Sequence, residues 1–338
     1  MIEGHEGIIW RGIFLYIQPE IILEQYDIQV QQIRKGRGTF LCETNRGNLV
    51  LTPYKGTEKR AGMIQEILAM LQSRQIAVEQ ILRTLEGNAS ATDDAGNRYL
   101  LKEQVNGTEC GTKSLVQMRA AAQTIGKLHL VLDMEDYRKM WTCESPLPLG
   151  DSMEKRIREL VKIRNYIKGK KNKNEFESLF WKHCDCFIKQ AREASRIMQQ
   201  CQENLRLQIC HGELNQHNIL ETEHGWQIVN YESICLQPAC CDLVNYLRKM
   251  LEKNNWNADI GRGIWEAYAQ IRPLERDEKK ALYALLLFPE KFRKVANHYM
   301  NSNKAWPCGR DLEKLQQVIV AESGKARFLE MLFAFTQG

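Results

Sequence analysis

No apolar run in this chain of 338 residues approaches the length of a membrane span. The longest, residues 281–288, is far short of the roughly 18–20 residues that cross a bilayer. The opening stretch 1–17 has apolar residues but neither a basic start nor a small-residue cleavage site, which argues against a signal peptide. Charge of one sign is also scarce. A net +5 is too small for this length to argue for nucleic acid, and the densest basic run, residues 168–173, reads as a solvated loop between two helical patterns. Paired C-x-x-C knuckles are missing. His183, Cys184, Cys186 and the Cys240-Cys241 pair are therefore expected to be core or boundary residues rather than metal ligands, and the eleven cysteines to stay reduced. There is no glycine-rich phosphate loop; Lys35-Gly36-Arg37-Gly38 is a turn with two glycines. Internal repeats and low-complexity tracts are absent too.

What remains is an ordinary globular composition, 43% hydrophobic and 26% charged, in a chain long enough for two lobes with ample core. The first third reads as three short strands (28–34, 39–44, 49–52), a helix on Met63, Ile67, Met70 and Leu71, then two more strands (80–85 and 98–105). Turns are expected at Asn45-Arg46-Gly47 and at Asp93-Asp94-Ala95-Gly96. From Gly107 the pattern turns helical. Met118, Ala121, Ile125, Leu128 and Leu132 mark one helix. Met153, Ile157, Leu160, Val161 and Ile167 mark another, with Asp151 and Glu154 spaced as a capping pair. A long third helix follows Phe176, Phe180, Cys184, Phe187, Ala191, Met198 and Cys201. The rest is expected to be helical, interrupted at Pro273, Pro289 and Pro307.

Between two short β-like runs, 207–210 and 226–229, which are expected to pair, lies the most informative segment, His211-Gly212-Glu213-Leu214-Asn215-Gln216-His217-Asn218. Phosphotransferase catalytic loops place an Asp two residues after a His and an Asn five residues further on. The Asp accepts the proton of the attacking hydroxyl, and the Asn holds magnesium. Here His211 and Asn218 are in register, but the acid is Glu213. Its extra methylene displaces the carboxylate by more than an ångström, and misplacement of about that size can reduce a rate roughly 100-fold. Asn230 stands at the end of the second run, where the main metal-binding Asp is expected, with Glu232 on the same side as a substitute carboxylate. Thr52 stands where a strand lysine should meet nucleotide phosphates. Lys55 lies beyond Pro53, and Glu58 and Glu66 are candidates for the helix carboxylate that would pair with such a lysine. Asp242 opens a helix, either as a plain N-cap or as a tether for the loop.

These features resemble the aminoglycoside phosphotransferase and choline kinase superfamily, on His211-Gly212-Glu213 with Asn218, on Ile228-Val229-Asn230-Tyr231-Glu232, and on Asp242-Leu243. Residues 288–299 and 301–306 resemble, more narrowly, the CotS-type spore-coat proteins of that superfamily. The resemblance covers roughly residues 22–332. It implies an α+β, bilobal protein-kinase-like fold with a small antiparallel β lobe and a larger, mainly helical lobe. The divisions expected are an extension over 1–21, the β-rich lobe over 22–106 and the helical lobe over 107–338. By position, Glu213 corresponds to the catalytic Asp, with His211 and Asp242 bracing the loop. Asn218 and Asn230 correspond to magnesium ligands and Thr52 to the phosphate-binding Lys. Three of those four key positions are substituted. The expectation is a coat-associated pseudokinase with a structural or binding role and no cofactor. It would be made in the mother-cell cytoplasm and held by other spore-coat proteins, with no nucleic-acid partner and no membrane span. The alternative is a small-molecule phosphotransferase that uses ATP and magnesium.

Overall fold

The computed structural model describes residues 18–142, 147–301 and 309–337. The stretch 302–306 of the spore-coat-like segment, Pro307 and the opening stretch 1–17 lie outside the described residues.

A short helix α1 (Pro19–Leu23) leads into strands β1 (Val30–Lys35), β2 (Phe40–Thr44) and β3 (Gly47–Tyr54). Helix α2 (Glu58–Ser73) follows, then β4 (Ala91–Thr92) and β5 (Arg98–Glu103). The five strands form one sheet in the order β1-β2-β3-β5-β4, antiparallel throughout. Strand alternation sends Leu49, Leu51, Tyr99 and Leu101 to one face, where they meet Ile22, Leu23 and Tyr26 around α1. Leu100 faces the other way, onto the core shared with Ile64, Ile67, Leu68 and Leu71 of α2. The expected strand 80–85 is reduced to a single bridge, Ile81 opposite Lys102. Glu79 at its start is drawn into the interior instead of continuing a ladder.

Strand β6 (Thr108–Glu109) pairs with β8 (Ile219–Thr222) and opens the helical lobe. A Cβ at Gly107 would lie 2.9 Å from the Glu221 carbonyl oxygen, so the link between the lobes passes close against β8. The lobe comprises α3 (Leu115–Leu132), α4 (Glu135–Met140), α5 (Leu149–Gly169), α6 (Glu175–Cys201), α7 (Cys240–Lys253), α8 (Ala258–Ile271), α9 (Arg276–Leu287), α10 (Glu290–Asn301) and α11 (Gly309–Gln337). Pro273 and Pro289 fall in the breaks before α9 and α10. The apolar stripes read from sequence become buried faces, and Cys184 lies on one of them. The cysteines among the described residues are free thiols. The expected Asp151–Glu154 cap does not form. Helix α5 starts at Leu149, so Asp151 is already inside it, and Gln202 reaches across from after α6 to accept the Gly150 N–H at 2.8 Å.

The residues 288–299 have a structural job. Phe292 stacks on Phe187 at 3.9 Å and on Phe180 at 5.1 Å, and Tyr299 stacks on Phe176 at 4.0 Å. The Tyr299 hydroxyl donates to Glu177, whose carboxylate closes a capping box with Asn174 at the start of α6. This segment therefore fastens α10 to α6.

Four short strands hold the catalytic-type loop: β7 (Gln208–Cys210), β8 (Ile219–Thr222), β9 (Gly225–Ile228) and β10 (Cys235–Gln237). The expected pairing of 207–210 with 226–229 is corrected. Strand β7 pairs with β10, while β9 pairs with β8. The loop Thr222–Gly225 makes a tight hairpin of β8 and β9, with the Thr222 hydroxyl donating to the Gly225 carbonyl at 2.8 Å. That leaves β7 to be covered by the next strand along.

Candidate active site

The loop is braced from beneath. Asp242, fully buried at the start of α7, accepts the His211 N–H at 2.7 Å and the Gly212 N–H at 2.9 Å. Gln237 and His129 complete its shell, and His129 is held in turn by the Tyr268 hydroxyl at 2.8 Å. His211 is equally buried, which pushes its imidazole below the usual histidine range and favours the neutral ring. Its Nε2–H donates to the Val229 carbonyl at 2.9 Å, and Nδ1 accepts the Glu213 N–H at 3.3 Å. His211 thereby ties the start of the loop to the end of β9. Gly212 is required here. It has φ +85°, and a Cβ would lie 2.2 Å from the Ser233 carbonyl oxygen. His129, Cys210 and Asp242 also converge within 4.8 Å, but the imidazole and the carboxylate are already spent on this brace.

The loop presents Glu213 at the surface, where its carboxylate accepts from the Ser233 hydroxyl at 3.2 Å. Asn218 is buried. Its Nδ2 donates to the Glu213 carbonyl at 2.8 Å, and its Oδ1 accepts from Asn230 Nδ2 at 2.9 Å. Asn230 has φ +67°, a left-handed conformation that Asn tolerates better than most side chains. The two asparagines thus meet, as their spacing in the motif requires.

Sequence reasoning did not find the group at the centre of the site. Lys102 of β5 is 3% exposed, and its ammonium donates to Asn230 Oδ1 at 2.7 Å, to Glu79 Oε1 at 3.2 Å and to the Glu232 carboxylate. Glu79 is also 3% exposed and accepts the backbone N–H of Asn230 at 2.9 Å and of Tyr231 at 3.3 Å. Burial works to lower the Lys102 pKa, but the Glu232 and Glu79 carboxylates outweigh it and hold the ammonium above its ordinary range. Burial works equally against the Glu232 carboxylate, and Lys102 outweighs it, pulling that group below its ordinary range.

Thr52 sits on β3 opposite Leu100. Lys102 lies opposite Val50, two residues along, so Thr52 and Lys102 share one face of the sheet on adjacent strands about 4.8 Å apart. The cation is therefore present near the expected place, on the neighbouring strand. Glu66 is exposed on α2 and stays outside this cluster, and Lys55 is exposed past the end of β3. Glu58 binds the Ala89 N–H at 2.6 Å and the Ser90 N–H at 3.0 Å, which anchors the loop before β4. From α2, Arg60 donates to the Ile234 carbonyl at 2.8 Å, a second link between the lobes.

A small antiparallel lobe over a helical lobe, with a His-Gly-acid loop and its Asn between them, defines the kinase-like phosphotransferase fold. Solved structures bear this out. The chain is similar to an aminoglycoside phosphotransferase from Alicyclobacillus acidocaldarius, with a TM-score of 0.81 at 19% identity over 95% of this chain and 97% of that one. It is similar also to the spectinomycin phosphotransferase APH(9)-Ia solved with ADP and spectinomycin, with a TM-score of 0.65 at 14% identity over 92% and 99% of the two chains. A microcompartment-associated aminopropanol kinase gives a TM-score of 0.64 at 12% identity over 93% and 97%. A search of curated protein sequences gives no match. Over residues 19–332 the chain matches the family model Spore_coat_YutH, described as "Spore coat putative kinase YutH", and it belongs to that family.

Proposed function

We propose that this chain is a kinase-like protein of the spore coat whose cleft does not carry magnesium-dependent phosphoryl transfer, a pseudokinase with a structural or binding role. One observation carries the reading. The Asn218 and Asn230 side-chain oxygens, the two positions that would ligate magnesium, are each already bonded to a protein donor, Asn218 to the Asn230 amide and Asn230 to Lys102. Magnesium needs hard, preferably anionic oxygens to offset its dehydration. Here it would meet two neutral amides and would have to displace a lysine. Glu232, the substitute carboxylate, is held by the same lysine. With Lys102 in place the residues present do not fit the metal. Thr52, which brings no charge to the phosphate position, agrees with this.

On this reading the protein needs no cofactor. It is made in the mother-cell cytoplasm and held in the coat by contacts with other coat proteins, without nucleic acid. Thermal unfolding with and without ATP and magnesium tests the cleft. No shift is expected. A ligand at 100 times its dissociation constant stabilises by about 2.7 kcal/mol. A saturable, magnesium-dependent rise would therefore count for the ATP-dependent small-molecule phosphotransferase instead.

A further inference from the structure

We infer that the Lys102 ammonium is the resident cation of this cleft and stands where the fold otherwise needs a divalent metal. This deepens the non-catalytic reading and rests on it. Four oxygen-bearing side chains converge here: Glu79 and Glu232 bring carboxylates, and Asn230 and Asn218 bring amides linked to each other. Two carboxylates and two amide oxygens are the hard ligand set that suits a divalent cation. Lys102 donates to three of the four, Glu79, Asn230 and Glu232, and so uses all three of its N–H donors. The pair is dry. Lys102 and Glu79 side chains are each 4% exposed and Glu232 is 22% exposed.

The ligands also come from both lobes. Lys102 lies on β5 of the sheet, Glu79 in the segment between α2 and β4, and Asn230 and Glu232 beyond β9 of the helical lobe. A metal in such a place bridges the lobes, and so does the lysine, but the lysine is covalently attached and cannot leave with a nucleotide. With its donors all used, it offers none to a phosphate. The neutral asparagines follow from this arrangement. A lysine brings one positive charge where a metal would bring two, and the Glu232 carboxylate and Glu79 already face it.

Removing the lysine should therefore expose a latent divalent-cation site. The experiment compares the full-length wild type, K102M and K102M/E232Q by thermal unfolding and by Mn2+ electron paramagnetic resonance. Each is measured in EDTA and across a Mn2+ titration without nucleotide. Wild type is expected to bind no Mn2+ and to keep one melting temperature throughout. K102M in EDTA leaves the buried Glu79 and the half-buried Glu232 carboxylates without their cation and should melt roughly 10 °C lower. Mn2+ should then restore it saturably, with a bound-Mn2+ signal that K102M/E232Q weakens at least tenfold. Should K102M fail to fold in EDTA, recovery of its folded signal on adding Mn2+ carries the same information. The inference is overturned if K102M gains neither bound Mn2+ nor metal-dependent folding, or if wild type binds Mn2+ equally. If wild type is stabilised by ATP with magnesium while K102M alone gains Mn2+ in the absence of nucleotide, the non-catalytic reading fails and the resident-cation assignment stands.

Discussion

Among single residues, Glu290 shows how a charge inside the spore-coat-like segment is held. Burial would raise its pKa, but the Arg293, Arg156 and Arg248 guanidinium groups outweigh it and pull it down to about 2. Arg293 contacts it at 2.7 Å and Arg156 at 3.4 Å. The folded pKa lies below the unfolded value of about 4.3, so this group stabilises the protein fully above that value. The contribution is lost as pH falls through about 2, and the shift corresponds to about 3 kcal/mol. E290Q should therefore be less stable than wild type at pH 7 by about that amount, with the gap closing between about pH 5 and pH 2. Urea midpoints for both proteins across that range check it; a gap independent of pH would refute the assignment. At this scale the sequence was legible in part. His211 reaches the Val229 carbonyl and Asn218 meets Asn230, because local loop geometry carries that information. Lys102 was not legible. In Arg98-Tyr99-Leu100-Leu101-Lys102-Glu103 it reads as the polar end of a strand. Its burial is created by partners 23 residues before it and 128 and 130 residues after it.

Elements with a strong period were legible for the same local reason. The stripes on α3 and α6 record a buried face directly in residue type, whereas β5 is buried on both faces from Tyr99 to Lys102. Strands of three or four residues carry too few alternations to choose a partner, which is why the pairing of β7 with β10 emerged only in three dimensions. The cap of α5 by Gln202 is invisible in sequence because the donor and acceptor are 52 residues apart. Helix α10 gives the prediction at this scale. Phe292 is fully buried between Phe180 and Phe187, so F292A removes the stack that fastens α10 to α6. Its cost should be about 3–5 kcal/mol, as for other large aromatic truncations in a core. F292L keeps most of the volume and should lose clearly less than F292A. Chemical denaturation of both variants measures the difference, and equal losses would show that the ring stack, rather than the filled volume, is what Phe292 contributes.

For the whole molecule, the question is how a kinase-shaped body reaches the spore coat. No helix among the described residues is long and apolar enough to cross a membrane, and the net charge is a modest +5. On the proposed reading, other coat proteins hold it there. A fluorescent fusion expressed in sporulating cells is expected to move from the mother-cell cytoplasm onto the developing spore, and detergent alone should not strip it. A signal that stays diffuse throughout sporulation would refute that placement. The resident lysine also bears on the direction in which such a protein can change. Restoring an Asp at 230 while Lys102 remains would set an acceptor against Asn218 Oδ1 in place of the present donor, and would add a third carboxylate to Glu79 and Glu232. Discarding Lys102 first would leave the buried Glu79 and the half-buried Glu232 carboxylates without their shared cation. On the non-catalytic reading, each of these two changes made alone should therefore give a less stable protein, so the two would have to be made together.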